Sequence, residues 1–141
     1  MKNLVISLSF NGFAEEAFNF YKKVFKTEFR VIQYYKDMPP MKGFPSAPDS
    51  VKDKVLHMEL PLGGDALLFG SDSLEQMGRA STAGNNFAIS LDTSSKEEAD
   101  SIFKGLAEGG KVDMPISMMF WGAYHGSLTD KYGIRWTISF Q

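Results

Sequence analysis

The feature that most restricts the fold of this chain is a faint internal repeat. Residues 6–17 read ISLSFNGFAEEA and residues 89–99 read ISLDTSSKEEA. In each stretch a short apolar strand runs through a turn into a helix that opens with Glu-Glu-Ala. Ile6 matches Ile89 at an offset of 83 and Glu15 matches Glu97 at 82, so the turn differs by one residue. Self-similarity of this kind marks a chain that uses one supersecondary unit twice.

Local patterning supports both copies. In the first helix Ala17, Phe20, Tyr21, Val24 and Phe25 recur at helical spacing and predict one apolar stripe. In the second, Ala99, Ile102, Phe103 and Leu106 take the matching places. Ser94 or Ser95 is the expected N-cap, Glu97 and Glu98 favour the positive end of the helix dipole, and Gly109-Gly110 is the expected stop. Three strand-like runs follow each helix: EFRVIQYY, KVLHMEL and DALLFGS, then KVDMPISMMF, GAYHGSL and IRWTISF. The predicted plan is βαβββ twice, an α+β chain, and three strands after each helix argue against a ferredoxin-like sandwich.

The expected organisation is one domain over 1–141, with module one at about 1–73, a linker at about 74–85 and module two at about 86–141. Residues 37–53, DMPPMKGFPSAPDSVKD, form a long loop with four prolines. It is either a lid or partner contact or a plain surface excursion.

Composition removes several function classes. Apolar residues at 43% and charged residues at 23% describe an ordinary globular protein. With a formal charge of -2 and no Lys/Arg cluster among exposed aromatics, no nucleic-acid partner is expected. The absence of Cys excludes disulfides, thiolate nucleophiles and sulfur-ligated zinc, and fits a cytoplasmic setting. The N-terminal MKNLVISLSF reads as a first strand rather than a signal peptide, and nothing approaches the roughly 20 apolar residues of a membrane helix. Gly105–Lys111 satisfies part of a phosphate-binding G-x-x-x-x-G-K pattern, but Val112 follows and the segment closes a helix, so it reads as a helix stop.

Paired βαβββ halves, the helix ending FNFYKKVF and the closing D-x-x-G-x-x-W hairpin at Asp130, Gly133 and Trp136 resemble the vicinal oxygen chelate superfamily. That superfamily holds glyoxalase I, bleomycin-resistance proteins and extradiol dioxygenases. GNNFAISLDTSSKEEAD, FWGAYHGSLTDKYGIRW and the Pro-rich loop look more narrowly like its PhnB-like subgroup, often labelled 3-demethylubiquinone-9 3-methyltransferase-like. The resemblance implies a glyoxalase/bleomycin-resistance fold: a cupped, partly barrel-like mixed sheet with helices outside. It also implies a metal site on the first and last strand of each half, which carries over to Ile6, Phe69, Asn86 and Thr137. Only Asn86 among these offers an oxygen suited to a hard cation, so no metal is expected there. No G-x-G-x-x-G follows a strand, so no S-adenosylmethionine or other cofactor is expected.

Turn chemistry assigns the strand faces. Asp130-Lys131-Tyr132-Gly133 reads as a type I turn that pairs Asp130 with Ile134 and Ser127 with Thr137. By alternation Trp121, Ala123, His125, Arg135 and Ser139 share the face of Thr137, while Ile134, Trp136, Ile138 and Phe140 face the second helix. The same register in LPLGGDA pairs Leu62 with Ala66 and Glu59 with Phe69, which points His57 and Glu59 into the cup. Phe69 thereby corresponds to Thr137, and the offset of 68 carries His57 onto His125.

Each candidate has two readings. His57 and His125 either hydrogen-bond across strands as structural groups or serve as acid–base groups near neutrality. Glu59 either orients His57 or is a solvated carboxylate. Trp121 is a core residue or a stacking platform, and Arg135 a solvated cation or an anion-binding group. Three functions compete: a metal-free cup holding a small organic ligand, lined by Phe69, Ile6 and Trp121 beside Asn86, Thr137 and His125; an enzyme with His125 or His57 as base and Arg135 or Asn86 steadying an oxyanion; and a dimer-forming domain with a vestigial cup. A homodimer is the expected assembly under the resemblance.

Overall fold

The computed structural model describes residues 1–43 and 46–141; within the Pro-rich loop, Phe44 and Pro45 lie outside the described residues. The chain divides into two compact units, Met1–Ser81 and Thr82–Gln141.

The first unit runs β1 (Ile6–Phe10), α1 (Ala14–Phe25), β2 (Val31–Tyr34), β3 (Val55–Gly63) and β4 (Ala66–Asp72). The second runs β5 (Ile89–Asp92), α2 (Lys96–Ala107), β6 (Lys111–Met118), β7 (Tyr124–Thr129) and β8 (Arg135–Phe140). Each sheet is open and four-stranded, in the order β1-β4-β3-β2 and β5-β8-β7-β6. In both, the strand before the helix lies parallel to the last strand, and the remaining pairs are antiparallel. Each unit is therefore the expected βαβββ motif. Short 3₁₀ turns at Tyr35–Asp37 and Asp49–Val51 shape the ends of the Pro-rich loop, and a third, Glu75–Met77, lies in the expected linker.

In the second unit the helix forms as its sequence predicts. Ser95 is the N-cap, and its Oγ accepts the Glu98 N–H at 3.0 Å. Glu98 Oε1 in turn accepts the Ser94 N–H at 2.9 Å, so two groups at the helix start are satisfied reciprocally. Ala99, Phe103 and Leu106 are buried against the sheet, where Trp136, Leu128 and Ile138 are wholly covered. Of the residues expected to face this helix, Ile134 and Phe140 are only half-buried.

The first helix buries Ala17 and Tyr21 as expected but departs from expectation at Phe20, Val24 and Phe25. Its buried line is Ala14, Ala17, Phe18 and Tyr21, while Phe20, Val24 and Phe25 sit at its flank, half-buried. The cause is on β4: a β-carbon at Gly70 would stand 2.4 Å from the Phe18 ring. The missing side chain opens a slot that the ring fills, and burying such a ring contributes about 1.5–3 kcal/mol. The helix turns to place Phe18 there.

Turn registers carry the faces. Asp130 N–H donates to Ile134 O at 2.8 Å and Gly133 N–H to Asp130 O at 3.0 Å, with Gly133 at φ 89°. Ser127 then pairs with Thr137 and His125 with Ser139, as expected. In the first unit Glu59 pairs with Phe69 as expected, but the tip pairs Gly63 with Ala66, not Leu62 with Ala66. Gly63 (φ 117°) and Gly64 (φ 55°) permit a tighter turn, and the extra residue is absorbed as an irregularity between Pro61 and Gly63.

Candidate functional site

The motif D-x-x-G-x-x-W is a folding device. Asp130, 3% exposed, accepts the Tyr132 and Ile134 N–H groups on Oδ1 at 2.8 and 3.0 Å and the Trp136 indole N–H on Oδ2 at 2.9 Å. Turn and core ring are thereby tied by one carboxylate. Asp72 works similarly in the first unit, where its two oxygens accept the N–H of Ala14 (2.9 Å) at the start of α1 and of Val55 (2.8 Å) at the start of β3.

Away from the helices, each sheet presents a more polar face. In the first unit β3 carries His57 and Glu59 on this side. His57 Nε2 lies 2.7 Å from Glu59 Oε2, and the His57 ring meets Phe69 edge-on with centroids 4.9 Å apart. Arg30, just before β2, donates its Nε–H to Glu59 Oε1 at 2.7 Å, with a second bond from a terminal nitrogen to the same oxygen. Hydrogen bonds from His57 and then from Arg30 hold the Glu59 carboxyl below its usual value. Its side chain is 13% exposed, against 33% for His57, so the carboxylate is covered and the imidazole accessible.

In the second unit β7 and β8 carry His125, Ser127, Thr137 and Ser139 on the equivalent side. His125 Nδ1 is hydrogen-bonded to Ser139 Oγ, and Thr137 Oγ1 donates to Ser90 Oγ at 2.7 Å. The Trp121 ring stands 6.0 Å from the His125 ring, centroid to centroid. On the opposite side Tyr124 donates its hydroxyl to Asp100 of α2. That hydrogen bond, then desolvation, raises the Tyr124 pKa.

Three expected positions are corrected. Ile6 does not stand beside Phe69: the parallel pairing sets Ile6 against Leu68, on the side of Leu8 and Phe10, and Ser7 against Phe69. Asn86 does not stand beside Thr137: it lies in an exposed bend ahead of β5, and Ser90 takes that place. Trp121 belongs to the turn before β7, half exposed, rather than to the strand. Arg135 keeps its expected side and donates to Asn85 O. Sequence reasoning missed Arg30, Ser7 and Ser90; pairing of Val31 with Glu59 across β2 and β3 is the relationship that would have exposed Arg30.

A divalent metal does not fit these residues. Ile6, Phe69, Asn86 and Thr137 offer no imidazole or carboxylate, and Ser7 and Ser90, which replace two of them, add only neutral hydroxyls. Among the described residues no group of three or more His, Cys, Asp or Glu side chains converges as a metal-binding set. Glu59 already carries the Arg30 guanidinium. The β1–α1 turn, Asn11-Gly12-Phe13, does not fit a nucleotide-binding turn either: Asp72 occupies the start of α1, and Glu15 and Glu16 follow. Among the described residues no helix is long and apolar enough to cross a membrane.

Two mixed βαβββ sheets with this polar side define the class. A glyoxalase/bleomycin resistance protein/dioxygenase family enzyme from Burkholderia phytofirmans PsJN shares the fold at a TM-score of 0.61 and 15% identity, over 96% of this chain and 95% of that one. Residues 2–139 match the family described as 3-demethylubiquinone-9 3-methyltransferase, and the chain belongs to that PhnB-like family. It is similar to protein PA1353 from Pseudomonas aeruginosa, with a TM-score of 0.84 and 32% identity over 100% of this chain and 98% of that one. The PhnB protein from Bacillus cereus gives 0.76 and 28%, over 99% and 100%. Protein YjdN of Escherichia coli (strain K12) is 28% identical over 137 residues, 94% of this chain and 90% of the relative.

Proposed function

We propose that this PhnB-like chain binds a small organic ligand on the polar side of its sheets, through aromatic and hydrogen-bonding groups and without the superfamily's metal. The observation that carries the reading is the grouping of Trp121, His125 and Ser139 around one strand pair. A half-exposed indole beside an imidazole is a stacking platform with a polar edge, the mixture that concave ligand sites use. Phe69 beside His57 repeats the combination in the first unit. Thr137 and Arg135 supply further polar contacts, with Asn86 at the adjoining bend. A homodimer in the cytoplasm goes with this reading; the chain has no Cys.

A thermal-shift screen of quinones, glycopeptides and phosphonates, run on protein purified without chelator and analysed for metal, tests it. A saturable shift from one class, lost in Trp121→Ala and obtained with metal-free protein, is the expected result. No shift from any class, or stoichiometric metal that is needed for the shift, overturns it.

A second reading, acid–base catalysis, is favoured by the carboxylate bound to His57. Methyl transfer, which the family description names, has no support from the β1–α1 turn. A labelled-methyl assay with S-adenosylmethionine and a demethylated quinone is expected to give no product.

A further inference from the structure

The two histidines occupy equivalent places in the repeat, yet their surroundings differ in what they do to the ring proton. His125 Nδ1 meets the Ser139 hydroxyl, which both donates and accepts, so either tautomer satisfies the contact. His57 Nε2 meets a carboxylate oxygen at 2.7 Å, and a carboxylate only accepts. In the neutral ring the proton therefore sits on His57 Nε2, and the lone pair is on Nδ1. Arg30 grips the other oxygen of Glu59 with two donors, which fixes the carboxylate and keeps it ionised. Around the ring stand Gln33, opposite on β2, and Phe69 on β4, neither of them charged.

We propose that Arg30 and Glu59 set His57 as the proton-accepting residue of the first unit, with Nδ1 directed to a ligand bearing an acidic hydroxyl on a planar ring, a phenol or an enol. This rests on the ligand-binding reading above and names its substrate class. The ligand O–H bond breaks, an Nδ1–H bond forms, and the electron pair stays on the ligand oxygen. The imidazolium so formed is adjacent to the Glu59 carboxylate, and the ligand leaves the step as an oxyanion, so total charge is unchanged. Phe69, edge-on to the imidazole, offers the planar ring an apolar neighbour. Arg30 touches no ligand in this scheme; it is a positioning residue.

Two measurements test this. Long-range proton–nitrogen NMR on labelled wild-type protein is expected to show His57 protonated at Nε2 and bare at Nδ1. Glu59→Ala should give mixed tautomers, Glu59→Gln should restore the wild-type pattern through its amide oxygen, and Arg30→Met should shift it partway. An Nδ1-protonated His57 in the wild type overturns the proposal, and that readout needs no variant to fold. The second measurement compares 4-nitrophenol with 4-nitroanisole, which lacks the proton. The phenol should bind about tenfold more tightly, the worth of one hydrogen bond, with growth of the phenolate absorbance. In His57→Phe the preference and the absorbance change should vanish while the anisole still binds. Equal binding of both probes, unchanged in His57→Phe, overturns the inference and leaves the ligand-binding reading standing. Binding of neither probe overturns the ligand class named here, and the broader screen under the proposed function then decides the reading itself.

Discussion

Asp130 Oδ2 accepts the indole N–H of Trp136 at 2.9 Å, inside a core where the ring is wholly buried. The same side chain closes the β7–β8 turn, so turn closure and core packing are one cooperative event. Asp130→Ala removes an acceptor from three buried or half-buried donors and is expected to cost about 2–4 kcal/mol. Asp130→Asn presents a donor to one of those donors and should cost nearly as much. Urea unfolding measures both, and a double-mutant cycle with Trp136→Phe should show coupling of about 1 kcal/mol or more. Additivity would refute the shared role.

Phe18 in the slot left by Gly70 leads to the second prediction. Gly70→Ala forces a buried ring out of place and should destabilise the protein by about 1–3 kcal/mol. Phe18→Leu should relieve part of this in the double variant, although alone it leaves a cavity and destabilises. The sign of the interaction term decides: a double variant worse than the sum of the singles would show that ring and glycine do not share the slot.

Phe18 also marks where the sequence stopped being legible. The spacing of α1 admits two stripes, one through Phe20 and Val24 and one through Ala14 and Phe18, and the choice is made by a glycine on β4. Registers that depend on a tight turn were readable, because Asp130 and Gly133 dictate that turn and alternation does the rest. His125, Thr137 and Ser139 fell on their faces for that reason. His57 did so although the β3–β4 turn is tighter than expected, because the irregularity between Pro61 and Gly63 restores the pairing of Glu59 with Phe69. Registers that depend on a long crossover were not readable: a helix and two strands separate β1 from β4 and β5 from β8, and Ile6 and Asn86 missed their positions. Arg30 stayed hidden because a long loop, not a hairpin turn, joins β2 to β3, and only the observed pairing with Glu59 brings it to His57.

Ser95 provides a local test in the second unit. Ser95→Ala loses the acceptor for Glu98 N–H and should cost about 1 kcal/mol, Ser95→Asp much less. Glu98→Ala should also weaken the cap, because it frees the Ser94 N–H. Unchanged urea midpoints in Ser95→Ala would mean that the start of α2 is held by sheet packing alone.

Glu59 carries a pH signature with a definite sign. Its folded-state pKa lies below the usual 4.5, first because His57 hydrogen-bonds it and then because Arg30 does. The unfolded chain therefore takes up the proton at a higher pH than the folded chain. The stabilisation is fully present above 4.5 and is lost as pH falls through the lowered folded value. The advantage of wild type over Glu59→Gln in urea should be constant near neutrality, shrink once pH drops below 4.5, and close in stronger acid. A carbon-13 titration of the Glu59 carboxyl should place its midpoint below 4.5, rising in His57→Phe and in Arg30→Met, and further in the former. A midpoint at or above 4.5 in the wild type would mean that neither partner holds the carboxylate in solution, and the network on this sheet would lose its electrostatic basis.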